Sequence, residues 1–261
     1  MNKYILLPPR GHRAIARQLA RLSGAQTISY DTSRDLRIKS NACIINWGNS
    51  SFERRVLSDD FCVFNQFEAV AQAVDKLKAF EAMKEFEVPL PDFTTDEDTA
   101  YNWFKEGRVV YTRTLLRASS GRGIYVQNPD GDNDWNIIAT AKLHTARFNG
   151  KYEFRVHVFD GNIIHIQQKK RRKNLPDTHE HFVKNHDNGY VFAIQDVACP
   201  ELVKEAAINA VDSCGLDFGA VDIGYAPTRN TACVFEINTR PALSGTSLIR
   251  YTEAIKQLGE A

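Results

Sequence analysis

The chain is 261 residues long, 43% hydrophobic and 25% charged, the profile of a soluble globular protein with enough apolar side chains for one large domain or several small lobes. Its 33 basic and 32 acidic residues leave a formal charge of +1, so no whole-molecule field draws it to nucleic acid or to an anionic membrane, and any attraction for anions is local. Cys43, Cys62, Cys199, Cys214 and Cys233 stand singly, an odd total with no CxxC pair, which argues against a disulfide framework or zinc ribbon and for a reducing compartment. The opening MNKYILLPPRGH has too short an apolar run for a signal-peptide core and no later stretch approaches a membrane span, so the expected location is the cytoplasm, with no membrane partner.

In chain order, a β-rich run at 4–7 precedes an amphipathic stretch with Ile15, Leu19 and Leu22 on one face and Gly24 as its stop. Runs at 27–30 and 42–46 continue the alternation, which suggests a small parallel α/β lobe over 1–65. Over 67–86, Val70, Ala73, Val74, Leu77 and Phe80 recur at helical spacing and predict one helix, ended by VPLP at 88–91 because proline excludes the α conformation before it. Strand-like 93–95, a helix across 96–106 stopped by Gly107, and a β run at 108–114 make a second lobe, assigned to 66–142. The third, 143–261, contains EFRVHVFDGNIIHIQQKK, in which two alternating runs flank Asp160-Gly161, a pair suited to a type I′ turn. A polar, His-rich loop follows, then a helix over 201–214 and β runs at 218–225 and 232–238.

The last two runs carry the most informative residues. GAVDIGY is followed by CVFEINTRPALSGTS, so Asp222, Glu236 and Asn238 sit on neighbouring apolar strands. Glu236 and Asn238, two apart, project from one face, and a hairpin-like pairing brings Asp222 alongside. Two carboxylates and an amide oxygen are hard ligands suited to Mg²⁺ held together with substrate phosphates. The competing assignment is a strand-end carboxylate paired with an arginine or capping a turn.

This ordered set resembles the ATP-grasp superfamily, in particular the glutamate-ligase type that modifies a ribosomal protein and the phage-encoded carboxylate-amine ligases. The resemblance implies an α/β (α+β) fold, with a small N-terminal parallel α/β lobe and two further α+β lobes enclosing the nucleotide. In that family a strand-borne Asp and then Glu-x-Asn hold the magnesium ions that bridge ATP phosphates, roles that fall to Asp222, Glu236 and Asn238. DKL at 75–77 before VPLP is similar to the family's helix whose lysine reaches a phosphate, which implicates Lys76. VVYTRTLLRASSGRGIYV resembles its strand, glycine loop and second strand. Ser119, Ser120, Gly121 and Gly123 would close over the phosphates, since glycines let backbone amides approach an anion. Arg113 stands where many members have an ATP-binding lysine. Lys142 completes the nucleotide set, at a hinge that lacks the family's usual acidic residue.

EFRVHVFDG resembles the family's arginine strand, and Arg155 is implied as a contact to substrate carboxylate or transferred phosphoryl. Phe154, Val156 and Val158 share one face of it and Glu153, Arg155 and His157 the other. The family's basic residue on the return strand matches Lys169, whereas a two-residue turn puts Lys170 on the Arg155 face, and the sequence leaves the two open. VKNHDNGYVF resembles a loop near the reacting groups, with Lys184 and Asn185 as candidates. The His179-Glu180-His181 trio reads as a surface loop, and Trp47 as a lobe-interface aromatic. After the asparagine, Thr239-Arg240-Pro241-Ala242 replaces the family's small residue and Pro-Gly.

The implied activity is ATP-dependent joining of a carboxylate to an amine through an acyl phosphate, with ATP and Mg²⁺ as cofactors and small-molecule or peptide carboxylates and amines as substrates. Two other functions remain in play. Arg113 and the altered Thr-Arg-Pro-Ala turn favour an ATP-binding regulatory or assembly protein that no longer ligates. KKRRK at 169–173 is the one encouragement for a ligase or kinase acting on modified nucleic acid.

Overall fold

The structure is a computed structural model and describes residues 2–7, 13–28, 42–50, 62–118, 121–131, 134–175, 182, 184, 188–195 and 197–258. The chain begins with β1 (Asn2–Leu6), α1 (Arg13–Ser23), β2 (Gln26–Ile28), β3 (Ala42–Asn46) and β4 (Cys62–Phe64). These strands form a parallel sheet in the order β2-β1-β3-β4, so the expected parallel α/β arrangement gains a fourth strand at 62–64. β3 is buried along its whole length, which suits its run of Ala42, Cys43, Ile44 and Ile45.

The single helix expected over 67–86 is two: α2 (Phe67–Ala73) and α3 (Lys76–Glu85). Hydrophobic spacing runs through the break and hides it, but Asp75 takes extended geometry and its side chain accepts from the Lys78 N–H at 3.4 Å. Asp75 therefore starts a new helix, and Lys76 becomes its first residue. A second sheet follows from β5 (Phe93–Thr94), α4 (Glu97–Lys105), β6 (Val110–Arg113), β7 (Ile124–Gln127) and β8 (Leu143–Ala146), in the antiparallel order β5-β8-β6-β7.

The third sheet contains β9 (Tyr152–Phe159), β10 (Asn162–Arg171), β11 (Tyr190–Ala193), β12 (Phe218–Ala226) and β13 (Thr231–Asn238), with α5 (Glu201–Ser213) before β12 and α6 (Gly245–Gln257) after β13. Its order is β11-β10-β9-β12-β13, antiparallel throughout. Asp160 and Gly161 have φ of 50° and 69°, as a type I′ turn requires, and join β9 to β10 as expected.

The two faces of this sheet are packed differently. Phe154, Val156 and Val158 join Val221, Ile223 and Val234 against Val203, Ala207 and Ala210 of α5 and Phe80 and Met83 of α3. Each of these buried Val, Ile, Phe and Met side chains contributes about 1.5–3 kcal/mol. On the other face, Phe159 and Phe218 join Trp47, Tyr251 of α6, and Ile5, Ile45 and Leu19 of the first lobe. Trp47 is 1% exposed, stacks on Phe218 at 5.4 Å and meets Tyr251 edge-on at 5.4 Å. That junction is tightened by Asn65, whose carboxamide accepts from the Asp217 and Phe218 N–H groups at 2.8 and 3.0 Å and donates to the Phe218 carbonyl at 2.9 Å. Aromatic packing covers one half of this face and leaves the other half for polar side chains.

Candidate active site

On the open half of the face, Asp222 lies opposite Arg155 of β9 on one side and opposite Glu236 of β13 on the other. Directly opposed residues project from one face, so an arginine and two carboxylates form a row across three strands. Arg155 donates from Nε to Asp222 Oδ1 at 2.6 Å and from Nη2 to Oδ2 at 2.8 Å, a two-point pairing that fixes both side chains. The arginine pairing weighed from sequence for this aspartate is therefore present beside the carboxylate cluster. Phe192 of β11 lies over the guanidinium at 4.4 Å. Burial pulls the Arg155 pKa down, but Asp222 more than offsets it and the group is held more firmly charged.

Which lysine faces the row depends on one extra residue in β10. Near the turn Ile163 opposes Val158, but beyond an irregularity between Ile163 and His165 the pairing shifts by one, so that Gln167 opposes Arg155. This β-bulge moves Lys169 onto the Arg155 face, reversing the alternation expected from a regular two-residue hairpin that would have put Lys170 there. The Lys169 ammonium bonds to Glu153 and lies 3.8 Å from Asp222 Oδ2. Burial raises the Glu153 pKa despite Lys169, and Asp222 adds to the rise. Lys170, by contrast, is exposed.

The second sheet and α3 supply cations from across the cleft. Lys76, at the first position of α3, donates to Glu236 Oε2 at 2.7 Å. Burial works to raise the Glu236 pKa, but Lys76, Arg155 and Arg113 outweigh it and hold the carboxyl down to about 2. Arg113, last residue of β6, has a buried Nε with no hydrogen-bond partner among the described residues, and desolvation lowers its pKa while Glu236 opposes that. The Lys76 backbone N–H donates to the Leu116 carbonyl at 3.1 Å, tying the start of α3 to the loop that leads to Gly121 and Gly123. Both glycines have positive φ, and a Cβ on Gly123 would come within 2.9 Å of Leu115 Cγ. Lys142 is exposed and bonds through its backbone N–H to the Arg113 carbonyl at 2.8 Å.

Asn238 donates from Nδ2 to the Ala220 carbonyl and to Glu236 Oε1, both at 3.4 Å, which leaves its amide oxygen without a donor among the described residues. The donor set suits a hard divalent cation: two carboxylates, one with a third of its side chain exposed, and a free amide oxygen on the same strand face. Among the described residues no group of three or more His, Cys, Asp or Glu is gathered for a metal, so such a cation depends on Asn238 as third protein ligand. Ser119, Ser120, Asn185 and the 179–181 trio lie outside the described residues. Lys184 is half-buried, and its charge bears on Glu153.

No protein-family model and no curated relative matches the chain. Solved structures do. D-alanine–D-alanine ligase from Bacillus anthracis superimposes with a TM-score of 0.67 at 14% identity, over 97% of this chain and 91% of that one. The ATP-grasp ligase PsnB, complexed with a phosphomimetic variant of its minimal precursor, Mg and ADP, gives 0.64 at 12% identity, over 98% of this chain and 97% of that one. The chain has the ATP-grasp fold. The macrocyclase MdnC from Microcystis aeruginosa, bound with precursor peptide MdnA, has the same ATP-grasp architecture at a TM-score of 0.63 and 10% identity, over 97% of this chain and 98% of that one. On this scaffold the cleft between the second and third sheets gathers Lys76, Arg113, Arg155, Lys169, Asp222, Glu236 and Asn238.

Four side chains at the site were given no role by sequence reasoning. Phe192 covers Arg155 from β11. His157 is fully buried on the Arg155 face, with its ring nitrogens near Tyr251 and Gln167. Neither Gln167 nor Tyr251 carries a motif, and only the paired strand and packed helix bring them to the face.

Proposed function

We propose that the chain is an ATP-dependent ligase that joins a carboxylate to an amine through an acyl phosphate and releases ADP and phosphate. The observation that carries this reading is the row Arg155, Asp222 and Glu236, met from the opposite sheet and α3 by Lys76 and Arg113. A carboxylate does not condense with an amine at neutral pH because its oxygen is a poor leaving group, so transfer of the ATP γ-phosphoryl must come first.

Lys76 and Arg113 then neutralise phosphate charge, and Arg155 with Lys169 orients the acceptor carboxylate and the phosphoryl oxygens. Asp222, Glu236 and Asn238 are the residues that would hold Mg²⁺, which when bound would neutralise charge on the ATP phosphates. Closure of the 119–123 loop would keep water from the acyl phosphate. Asn185 and Lys142 are assigned to the acceptor loop and the nucleotide hinge. The lobes follow as 1–65, 66–142 and 143–261, and the cysteine pattern and the absence of a membrane-length apolar helix among the described residues fit a cytoplasmic setting. Because PsnB and MdnC were solved with precursor peptides, peptide carboxylates and amines belong in the first substrate panel beside free amino acids.

The test is ADP release from MgATP with pooled amino acids and short peptides. Turnover that needs both a carboxylate and an amine is expected, and Glu236→Ala is expected to abolish it with the circular-dichroism spectrum unchanged. Full turnover in Glu236→Ala would overturn the metal assignment, and ATP binding without ADP release across the panel would favour a non-ligating protein.

A further inference from the structure

Between the Arg155 row and the aromatic junction lies a polar group for which the ligase reading has no role. His157 follows Arg155 on the same face of β9 and is fully buried. Its Nε2 is 3.1 Å from Gln167 Oε1 and its Nδ1 is 3.4 Å from the Tyr251 hydroxyl. The ring is held by Tyr251 edge-on at 5.6 Å and by His165 at 5.6 Å. Gln167 stands directly opposite Arg155, brought there by the same β10 bulge that brings Lys169. An oxygen facing His157 requires the proton on Nε2, which leaves Nδ1 unprotonated beside a Tyr251 hydroxyl that also reaches the Gly219 carbonyl at 3.5 Å. The Gln167 NH₂ group is thereby turned away from the histidine, and it has no hydrogen-bond partner among the described residues.

Arg155 spends Nε and Nη2 on Asp222, leaving Nη1 as its uncommitted nitrogen among the described residues. A carboxylate has two oxygens to satisfy, so Arg155 alone binds it incompletely while that pair persists. A neutral donor beside Arg155 completes the fork without adding charge to a cleft that already holds Lys76, Arg113 and Lys169.

We propose that Gln167 binds the acceptor carboxylate beside Arg155, and that His157 is a positioning residue that turns the Gln167 amide toward the cleft. This rests on the ligase reading for the identity of that carboxylate, whereas the amide orientation stands independently. The orientation is tested on the intact protein by nitrogen-correlated NMR of the His157 ring at neutral pH. The Nε2–H tautomer is expected, and the Nδ1–H tautomer would overturn the proposal, because Gln167 would then present its oxygen to the cleft.

Binding is tested without turnover by titrating acetate into the protein held with Mg²⁺ and a non-hydrolysable ATP analogue. The Gln167 side-chain amide signals are expected to move in wild type and to stay fixed in Arg155→Met, and an unmoved wild-type signal would overturn the proposal even if ADP release is robust. With a carboxylate that supports turnover, Gln167→Leu is expected to raise its KM about tenfold while the KM for ATP stays within about twofold. His157→Phe, which keeps a ring but loses the donor, should reproduce that shift without adding to it in the double variant. Equal losses for both substrates would mean a merely structural role. Absence of ADP release with a normal acetate response would sink the ligase reading and leave this site standing.

Discussion

Lys76 and Glu236 are 160 residues apart in the chain and 2.7 Å apart across the cleft. The contact joins α3 to β13, and it governs how Glu236 titrates. Folding lowers the Glu236 pKa from 4.5 to about 2, so its contribution to stability is complete above the higher value and is lost as pH falls through the lower one. Lys76→Met removes the nearest opposing cation and its hydrogen bond, so the Glu236 midpoint is expected to move up, with Arg155 and Arg113 still opposing burial. A carboxylate-resolved NMR titration checks this, and an unmoved midpoint would show that Lys76 does not control the group. In the same variant, ADP release is expected to drop by about a hundredfold or more, as for loss of one charge-stabilising donor.

The β10 bulge makes opposite predictions for adjacent lysines. Lys169→Met leaves Glu153 buried without its ammonium partner and should cost about 3–5 kcal/mol in urea unfolding. Lys170→Met removes an exposed charge and should stay within about 0.5 kcal/mol. Adding Glu153→Gln to Lys169→Met is expected to recover most of the loss, because the orphaned charge is gone. If Lys170 proved the costly position, the register beyond Ile163 would be the regular one and Lys169 would leave the site.

The sequence carried the hairpin and the Asp, Glu-x-Asn order because both are local: Asp160-Gly161 dictates its own turn, and a two-residue spacing on a strand dictates a shared face. The bulge was hidden because Ile163 and Ile164 suit either face, so nothing in the alternation marks the extra residue. The break before α3 was masked by apolar spacing that continues across it; Asp75 ahead of Lys76 is a capping signal that becomes decisive once the helix start is seen. Helix α6 was missed for a related reason. Its capping box uses Ser244 with Ser247, not the usual glutamate at the third position, in a stretch that reads as a loop. Long-range partners such as Arg155 with Asp222, 67 residues apart, follow from sheet order alone.

His157 predicts acid sensitivity with a definite sign. Burial, the largest influence, holds its pKa down to about 4 from 6.5, so within that window the unfolded chain binds a proton that the fold refuses. Stability therefore falls as pH drops through the window, by at most about 1.4 kcal/mol per pH unit from this one group. His157→Gln has no such proton and should flatten the dependence. His144 and His165, both also lowered, keep some slope of the same sign. Urea unfolding across the window measures it, and a slope unchanged by the substitution would mean that His157 is charged in the fold.

Gly48, just after Trp47, lies against the chain segment that leaves β13. Its φ is 72°, and an added Cβ would lie 2.7 Å from Arg240 Cβ and 2.9 Å from Cγ and Cδ. Gly48→Ala should therefore cost about 2 kcal/mol or more, part from the left-handed backbone and part from the collision. The two parts separate by varying Arg240. Arg240→Ala keeps the nearest colliding atom, so it should relieve only a fraction of the penalty. Arg240→Gly removes every atom within 2.9 Å and should leave the backbone part alone. A Gly48→Ala penalty that is the same in all three Arg240 backgrounds would mean that the first lobe does not press on Arg240, and that the two residues beyond Asn238 are free of it.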